Sequence, residues 1–415
     1  MDKNKIIIAA IILVSLFSCR KEQELSTDPD GVFELVVSPE MQDFIYDSRD
    51  TSFTIDEPGI MFTMDDQALD LDEIRIRGRT ALFFQRKSYM VKLKQNIELS
   101  TPDGSLRKNL NRFKLISMAM DYTYIEHRIG YGLLEDQGIM PLFYRFVELK
   151  INGSTQGIYL LVEDPEAYFK DHGSEYIARR GYMNSITDSE YEPLLHFIPR
   201  EDYESRFGEI YAKLPLLNGE ALYEDLNKRL NLEQYFKKMG IDYLLQNGDY
   251  TDELYLYALV QQNQIRFNII PWDYDDLFRD HPHEVGKNWG TGTLFGDRYY
   301  DSHQDILDEI GDKLVFSIED DLDYIIAMDP YLYDRYLSCI KSMLEQLEES
   351  DMDALFKQLR QELLPYYNRE EVVEQSRFDQ DETNFILWEE NMEEKLTFIK
   401  RRLETMREQA YKIQP

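Results

Sequence analysis

The sequence predicts an α+β protein with a helical C-terminal extension, and three observations carry that expectation. Residues 32–165 are rich in strand signals, with several segments that alternate on a period of two, a pair of short apolar strands follows a helix within 166–303, and 304–415 carries Leu, Ile and Tyr stripes at helical spacing. At 415 residues, 43% of them hydrophobic, the chain has ample material for a large core. Asp and Glu number 79 against 46 Lys and Arg, a formal net charge of −33. That balance argues against binding to nucleic acid or anionic lipid, which needs clustered cations. It suits cation binding and a well-solvated surface.

The first 31 residues stand outside the predicted fold. Lys3 and Lys5 precede an apolar run, Ile6 to Phe17, that is too short to cross a bilayer comfortably as a helix. The run ends in Leu16-Phe17-Ser18-Cys19, which resembles a lipobox with Cys19 as the lipidated residue, although Phe17 is bulkier than the usual occupant. Residues 1–19 therefore read as a lipoprotein signal peptide and 20–31 as a polar tether. The expectation is an exported protein held to the cell envelope by its lipid alone, at an outer membrane, facing periplasm or surface. With 2 cysteines in all, lipidation of Cys19 leaves Cys339 without an internal disulfide partner, and its apolar helical neighbours predict a buried thiol.

Within 32–165, Phe33 to Ser38, Glu73 to Arg77 and Ser88 to Lys94 alternate as strands. A helix is expected between Asp121 and Gln137, with Asp121 or Thr123 as its cap and Gly138 just past its end. Arg145 to Ile151 and Gly157 to Glu163 read as a hairpin about an Asn152-Gly153 turn. In 166–303, the amphipathic helix Leu232 to Gln246 runs into Asn247-Gly248-Asp249. Strands Leu254 to Val260 and Ile265 to Ile270 follow and lead into Pro271-Trp272-Asp273-Tyr274-Asp275-Asp276.

That path folds back on itself, so the loop of Asp249, Asp252 and Glu253 and the loop of Asp273, Asp275 and Asp276 are expected at one end of the hairpin. Clustered carboxylates cannot all stay ionised without a cation, so they shift their proton affinities or bind a divalent metal. All-oxygen ligands point to Mg2+ or Mn2+ rather than Zn2+. His281 and His283 lie in a polar loop and read as a surface pair.

A helix, an acidic loop, a hairpin and a second acidic loop also follow one another in protein kinases, with a base in the first loop and a metal ligand in the second. The segments Asn247 to Asp252, Tyr255-Leu256-Tyr257 and Ile270 to Asp275 resemble the catalytic core of CotH kinases, a family of atypical protein kinases. Arg75 to Thr80 with Arg86 to Leu93, and Phe146 to Gly153 with Gly157 to Glu163, are similar to two further segments of that family. The resemblance spans residues 70–290 in the family's order. It implies a kinase-like bilobal fold with 32–165 as the β-rich lobe and 166–303 as the catalytic lobe, acting on protein hydroxyls with ATP and Mg2+ or Mn2+.

Carried over by position, the resemblance makes Asp249 the base and gives the metal to Asp273 and Asp275, with Asp252 or Glu253 as a second-site ligand. Lys87 leads and Lys92 follows as the phosphate lysine, Arg77 or Arg79 assists, and Glu163 falls near the adenine. Glu126 and Arg128 take the place of a regulatory helix, with Glu126 as a partner for the lysine. The chain departs from the pattern where Leu254 stands five residues past Asp249, the place of an ordinary kinase's second metal ligand. The alternative expectation is a non-catalytic surface lipoprotein with a binding or structural role, whose partner would be another protein.

Overall fold

The computed structural model describes residues 31–412 except 79, 102–103, 105, 122, 183, 194–195, 197, 250, 252, 263, 284, 288–293, 297 and 377–387. The expected signal peptide with Cys19, most of the tether, Arg79 and Asp252 thus lie outside the described residues.

The alternation in the first third becomes a sheet. Strand β1 (Val32–Val36) leads to helix α1 (Pro39–Asp47), whose Ser38 cap accepts from the Met41 amide. Strands β2 (Met61–Met64), β3 (Gln67–Leu69), β4 (Leu71–Arg77), β5 (Ser88–Ser100) and β6 (Arg107–Ile116) follow. Helix α2 (Glu126–Asp136) intervenes before β7 (Tyr144–Ile151) and β8 (Ser154–Glu163). Among the described residues these strands form an eight-stranded sheet in the order β3-β2-β1-β7-β8-β6-β5-β4, antiparallel except where β1 runs parallel to β7. The β7–β8 turn is the expected Asn152-Gly153, with φ of +51° and +78°, the pairing that a tight hairpin demands.

The central hairpin is buried on both faces, and its period of two assigns each residue a side. Tyr159 and Leu161 join Val147 and Leu149 in a core shared with β1, β4 and β5. Ile158, Leu160 and Val162 join Phe146 in a second core that runs from Ile116 to Ala410. This second core takes in α2, the middle of the chain and the C-terminal helices together.

Beyond β8 come α3 (Pro165–Asp171), β9 (Tyr176–Arg180), β10 (Ile186–Tyr191), α4 (Arg200–Ala212), α5 (Gly219–Arg229) and α6 (Leu232–Leu245). Strands β11 (Leu254–Gln261) and β12 (Gln264–Pro271) complete a four-stranded antiparallel sheet, β10-β9-β11-β12. Pro271 closes the edge strand, where a missing amide breaks little of the ladder. The remaining helices are α7 (His303–Ile310), α8 (Asp321–Met328), α9 (Pro330–Gln346), α10 (Glu349–Tyr367), α11 (Glu370–Ser376) and α12 (Trp388–Lys412). Helices and strands are mixed as the α+β expectation has it. Among the described residues no helix is long and apolar enough to cross a membrane. Cys339 on α9 is half-buried, and burial pushes its thiol up to about 11.

The C-terminal helices grip α2 and the hairpin beside it. Arg128 of α2 makes two hydrogen bonds to Glu362 of α10, at 3.0 and 2.9 Å. The Tyr366 hydroxyl donates to the Phe146 carbonyl (3.0 Å) and that of Tyr367 to the Thr123 carbonyl (3.2 Å). Lys395 of α12 pairs with Glu126 at the start of α2.

Candidate functional site

The two acidic loops meet. Helix α6 ends at Gln246 in a left-handed conformation, which turns the chain into Asn247. The Gly248 amide donates to the Asp276 carbonyl (2.8 Å), and the Gly248 carbonyl accepts from the His283 amide (2.9 Å). On the other side the Trp272 amide donates to the Glu253 carbonyl (3.1 Å). One oxygen of Asp242, on α6, accepts from both Asn247 Nδ2 (3.2 Å) and the Tyr274 hydroxyl (2.8 Å), so a single buried carboxylate holds both loops. Tyr274 lies against Gly130 of α2, where an added Cβ would fall 2.4 Å from its ring. That glycine lets α2 come down onto the second loop.

The contact delivers His127 to the acids. Its Nε2 lies 2.9 Å from Asp273 Oδ1 and its side chain is fully buried, while Asp273 keeps a quarter of its side-chain surface open. Asp273 itself is held at φ +47°, outside the ordinary range for a non-glycine residue. Burial alone would raise the Asp273 carboxyl, but His127, then Arg77 and Arg179, hold it well below the usual range. Burial likewise opposes charge on His127, yet Asp273, with Asp275 and Asp121, lifts it above its ordinary value. Burial and the neighbouring Asp273 push Asp275 the other way, upward. Glu126 accepts from the Leu277 amide (3.2 Å), and burial with Asp121 raises it to about 7 despite Lys395.

A second imidazole ties the loops on their outer side. His283 lies 3.5 Å from Asp249 through Nδ1 and 2.7 Å from Asp276 through Nε2, and Asp276 also pairs with Arg279. The two carboxylates, Asp249 first, lift His283 to about 9.

Cations line the neighbouring strand ends. Lys114 of β6 is buried, pairs with Asp164 at 3.1 Å and sits 4.5 Å from the centre of the Trp272 ring. Burial pushes its ammonium down to about 8 against the pull of Asp164. The Arg77 guanidinium lies 5.4 Å from the same ring, and Arg112 also pairs with Asp164. Arg179 holds Glu253 at 2.7 Å beside Tyr255.

Of the residues singled out in the sequence, the structure gathers Arg77, Asp249, Glu253, Asp273 and Asp275. Lys87 is buried elsewhere and donates to the carbonyls of Leu82 (2.8 Å) and Phe84 (2.6 Å). Lys92 is about half exposed and pairs with Asp72 at 2.7 Å. Glu163 is buried, accepts from the Phe143 amide (3.0 Å) and pairs with Lys108 at 2.9 Å. Glu126 takes its lysine from α12 rather than from a strand. Sequence reading passed over Lys114 and His127 and placed His283 on the surface. The one legible signal was Lys114 itself, a lysine between Phe113 and Leu115 in a strand that runs into buried residues.

Fold and site together define an α+β protein with an acid–imidazole centre that joins two loops, a helix and a cationic strand end. The family model described as CotH kinase protein matches residues 74–406, through the C-terminal helices as well as the sheet. The chain belongs to that family. It is similar to the inner spore coat protein H of Bacillus subtilis (strain 168), 22% identical over 236 residues. The match covers 52% of this chain and 61% of that relative's length.

Proposed function

We propose that the protein is an atypical protein kinase of bilobal build, transferring the terminal phosphoryl group of ATP to a protein hydroxyl with Mg2+ or Mn2+. The observation that carries this reading is the lacing of the Asp249 and Asp273 loops beside Arg77 and Lys114. The order of parts supports it too. A strand lysine, helix α2, the Asp249 loop, a hairpin and Asp273 follow one another in the order of the corresponding parts of a protein kinase.

The donor set fits a divalent ion, since ligand atoms of His127, Asp273 and Asp275 all lie within 4.8 Å of one another. When bound, such an ion neutralises charge on the nucleotide phosphates. Asp249, a third exposed, takes the proton of the acceptor hydroxyl. The acceptor oxygen bonds to the terminal phosphorus as the bond to the bridging oxygen breaks, and ADP leaves. Arg77 and Lys114 offset phosphate charge in this reading, because the ammonium groups of Lys87 and Lys92 are engaged elsewhere. The test is incorporation of labelled phosphate into the protein or a generic substrate. Asp249→Ala should abolish it in a protein that still unfolds cooperatively; no incorporation with any metal or nucleotide overturns the reading.

A second reading, a non-catalytic binding protein, is favoured by Leu254, a fully buried strand residue in place of a second metal ligand. It predicts no metal-dependent thermal shift with nucleotide, since binding to the native state must raise stability. Export and lipid attachment through Cys19 remain part of the proposal. Cys19→Ala should move the protein from the membrane to the soluble fraction, and retention on the membrane would count against the anchor.

A further inference from the structure

The strongest feature that neither the family match nor the sequence motifs account for is His127. Mg2+ sites are commonly built from carboxylates, phosphates and water, with no imidazole among the ligands. Here one is delivered from a different element, α2, with its Nε2 aimed at Asp273. The approach is built in, through the Gly130–Tyr274 contact and the Asp242 bond that fixes Tyr274. His127, Asp273 and Asp275 offer ligand atoms that all lie within 4.8 Å of one another.

We propose that His127, Asp273 and Asp275 are three protein ligands of one divalent first-row transition ion of the Mn2+ class, and that the imidazole sets its preference over Mg2+. The proposal rests on the reading of Asp273 and Asp275 as metal carboxylates. Ligands about 2.1 Å from an ion stand at most about 4.2 Å apart. The trio, whose ligand atoms lie within 4.8 Å of one another, therefore closes on an ion with shifts of about half an ångström. Mg2+ keeps oxygen ligands and waters, a nitrogen ligand favours the transition ions, and among those Mn2+ is the one that also suits two carboxylates and water. Three of the ion's ligands come from the protein itself, without nucleotide.

The test is Mn2+ titration of the whole protein without nucleotide, followed by electron paramagnetic resonance and pulsed detection of nitrogen coupling. One Mn2+ per chain is expected, with histidine nitrogen modulation, and a ~10-fold excess of Mg2+ should leave most of it bound. His127→Gln should remove the modulation and weaken Mn2+ at least ~10-fold. The wild-type spectrum decides the matter even where that variant folds poorly. Absence of bound Mn2+, Mn2+ without nitrogen coupling, or displacement by equal Mg2+ overturns the proposal. Nitrogen-coupled Mn2+ without any phosphate transfer would sink the kinase reading and leave this one standing; transfer with Mn2+ held by oxygens alone would do the reverse.

Discussion

Two imidazole–carboxylate contacts flank the acid loops, and burial separates them. His127 is wholly buried and meets one carboxylate, Asp273, at 2.9 Å. His283 keeps a third of its side chain exposed and spans two carboxylates, Asp249 and Asp276. Desolvation is the largest influence on the inner histidine and works against its charge, so its protonation depends on Asp273. On the outer histidine the carboxylates dominate and desolvation comes third, which is why it rises to about 9. The same pair of functional groups therefore serves two ends. The inner contact is a rigid part of the core, where losing a partner is costly. The outer one is a tie between loops that solvent weakens and pH can undo.

The sharpest way to break the comparison is to remove the partner from the inner pair. Asp273→Asn takes from buried His127 the carboxylate it bonds, leaving Asp275 and Asp121 to favour its charge, and the imidazole can neutralise, so the loss is about 1–3 kcal/mol. Urea denaturation checks this; a loss below about 1 kcal/mol would mean that the open quarter of Asp273 is enough to hydrate it.

Gly130→Ala acts on the inner site alone. Its Cβ would stand 2.4 Å from the Tyr274 ring, so the ring or α2 must move, at about 1–3 kcal/mol. The outer tie should not notice. The His283 titration followed by NMR should remain near its wild-type position, and a clear shift would show the two contacts to be one unit.

The smallest effect belongs to His283→Gln. A folded value of about 9 lies above the ordinary 6.5, so the tie contributes fully below pH 6.5 and is lost as pH rises through 9. With solvent screening at a part-exposed pair, the contribution is on the order of 1 kcal/mol. The stability gap between wild type and variant should therefore shrink from pH 6 to pH 9.5, and a constant gap would refute the pairing.

The scaffold of the site was readable because its signals are local. Asn152-Gly153 announces a hairpin by turn chemistry, and a helix, an acidic loop, a two-strand hairpin and a second loop can only return to where they began. The helix starts later than its expected caps, at Glu126 after Ile125, although Asp121 still accepts from the Glu126 amide at 2.7 Å. The missing members depend on packing that no short stretch encodes. Lys114, rather than Lys87 or Lys92, meets the acid loops because β6 ends beside the Trp272 ring. His127 matters because Gly130, three residues on, lets α2 descend. His283 sits in a polar loop, and only the fold-back of that loop onto Gly248 turns a surface histidine into a tie.

The grip of Lys395 on Glu126 has a kinetic consequence. The partners are 269 residues apart, and Arg128 with Glu362 are 234 apart, so closing these contacts requires very long loops. Contacts of such long range slow folding. The C-terminal grip on the helix that carries His127 therefore forms only when distant parts of the chain have met. A chain without its last helices would lack both partners that hold α2, Lys395 for Glu126 and Glu362 for Arg128.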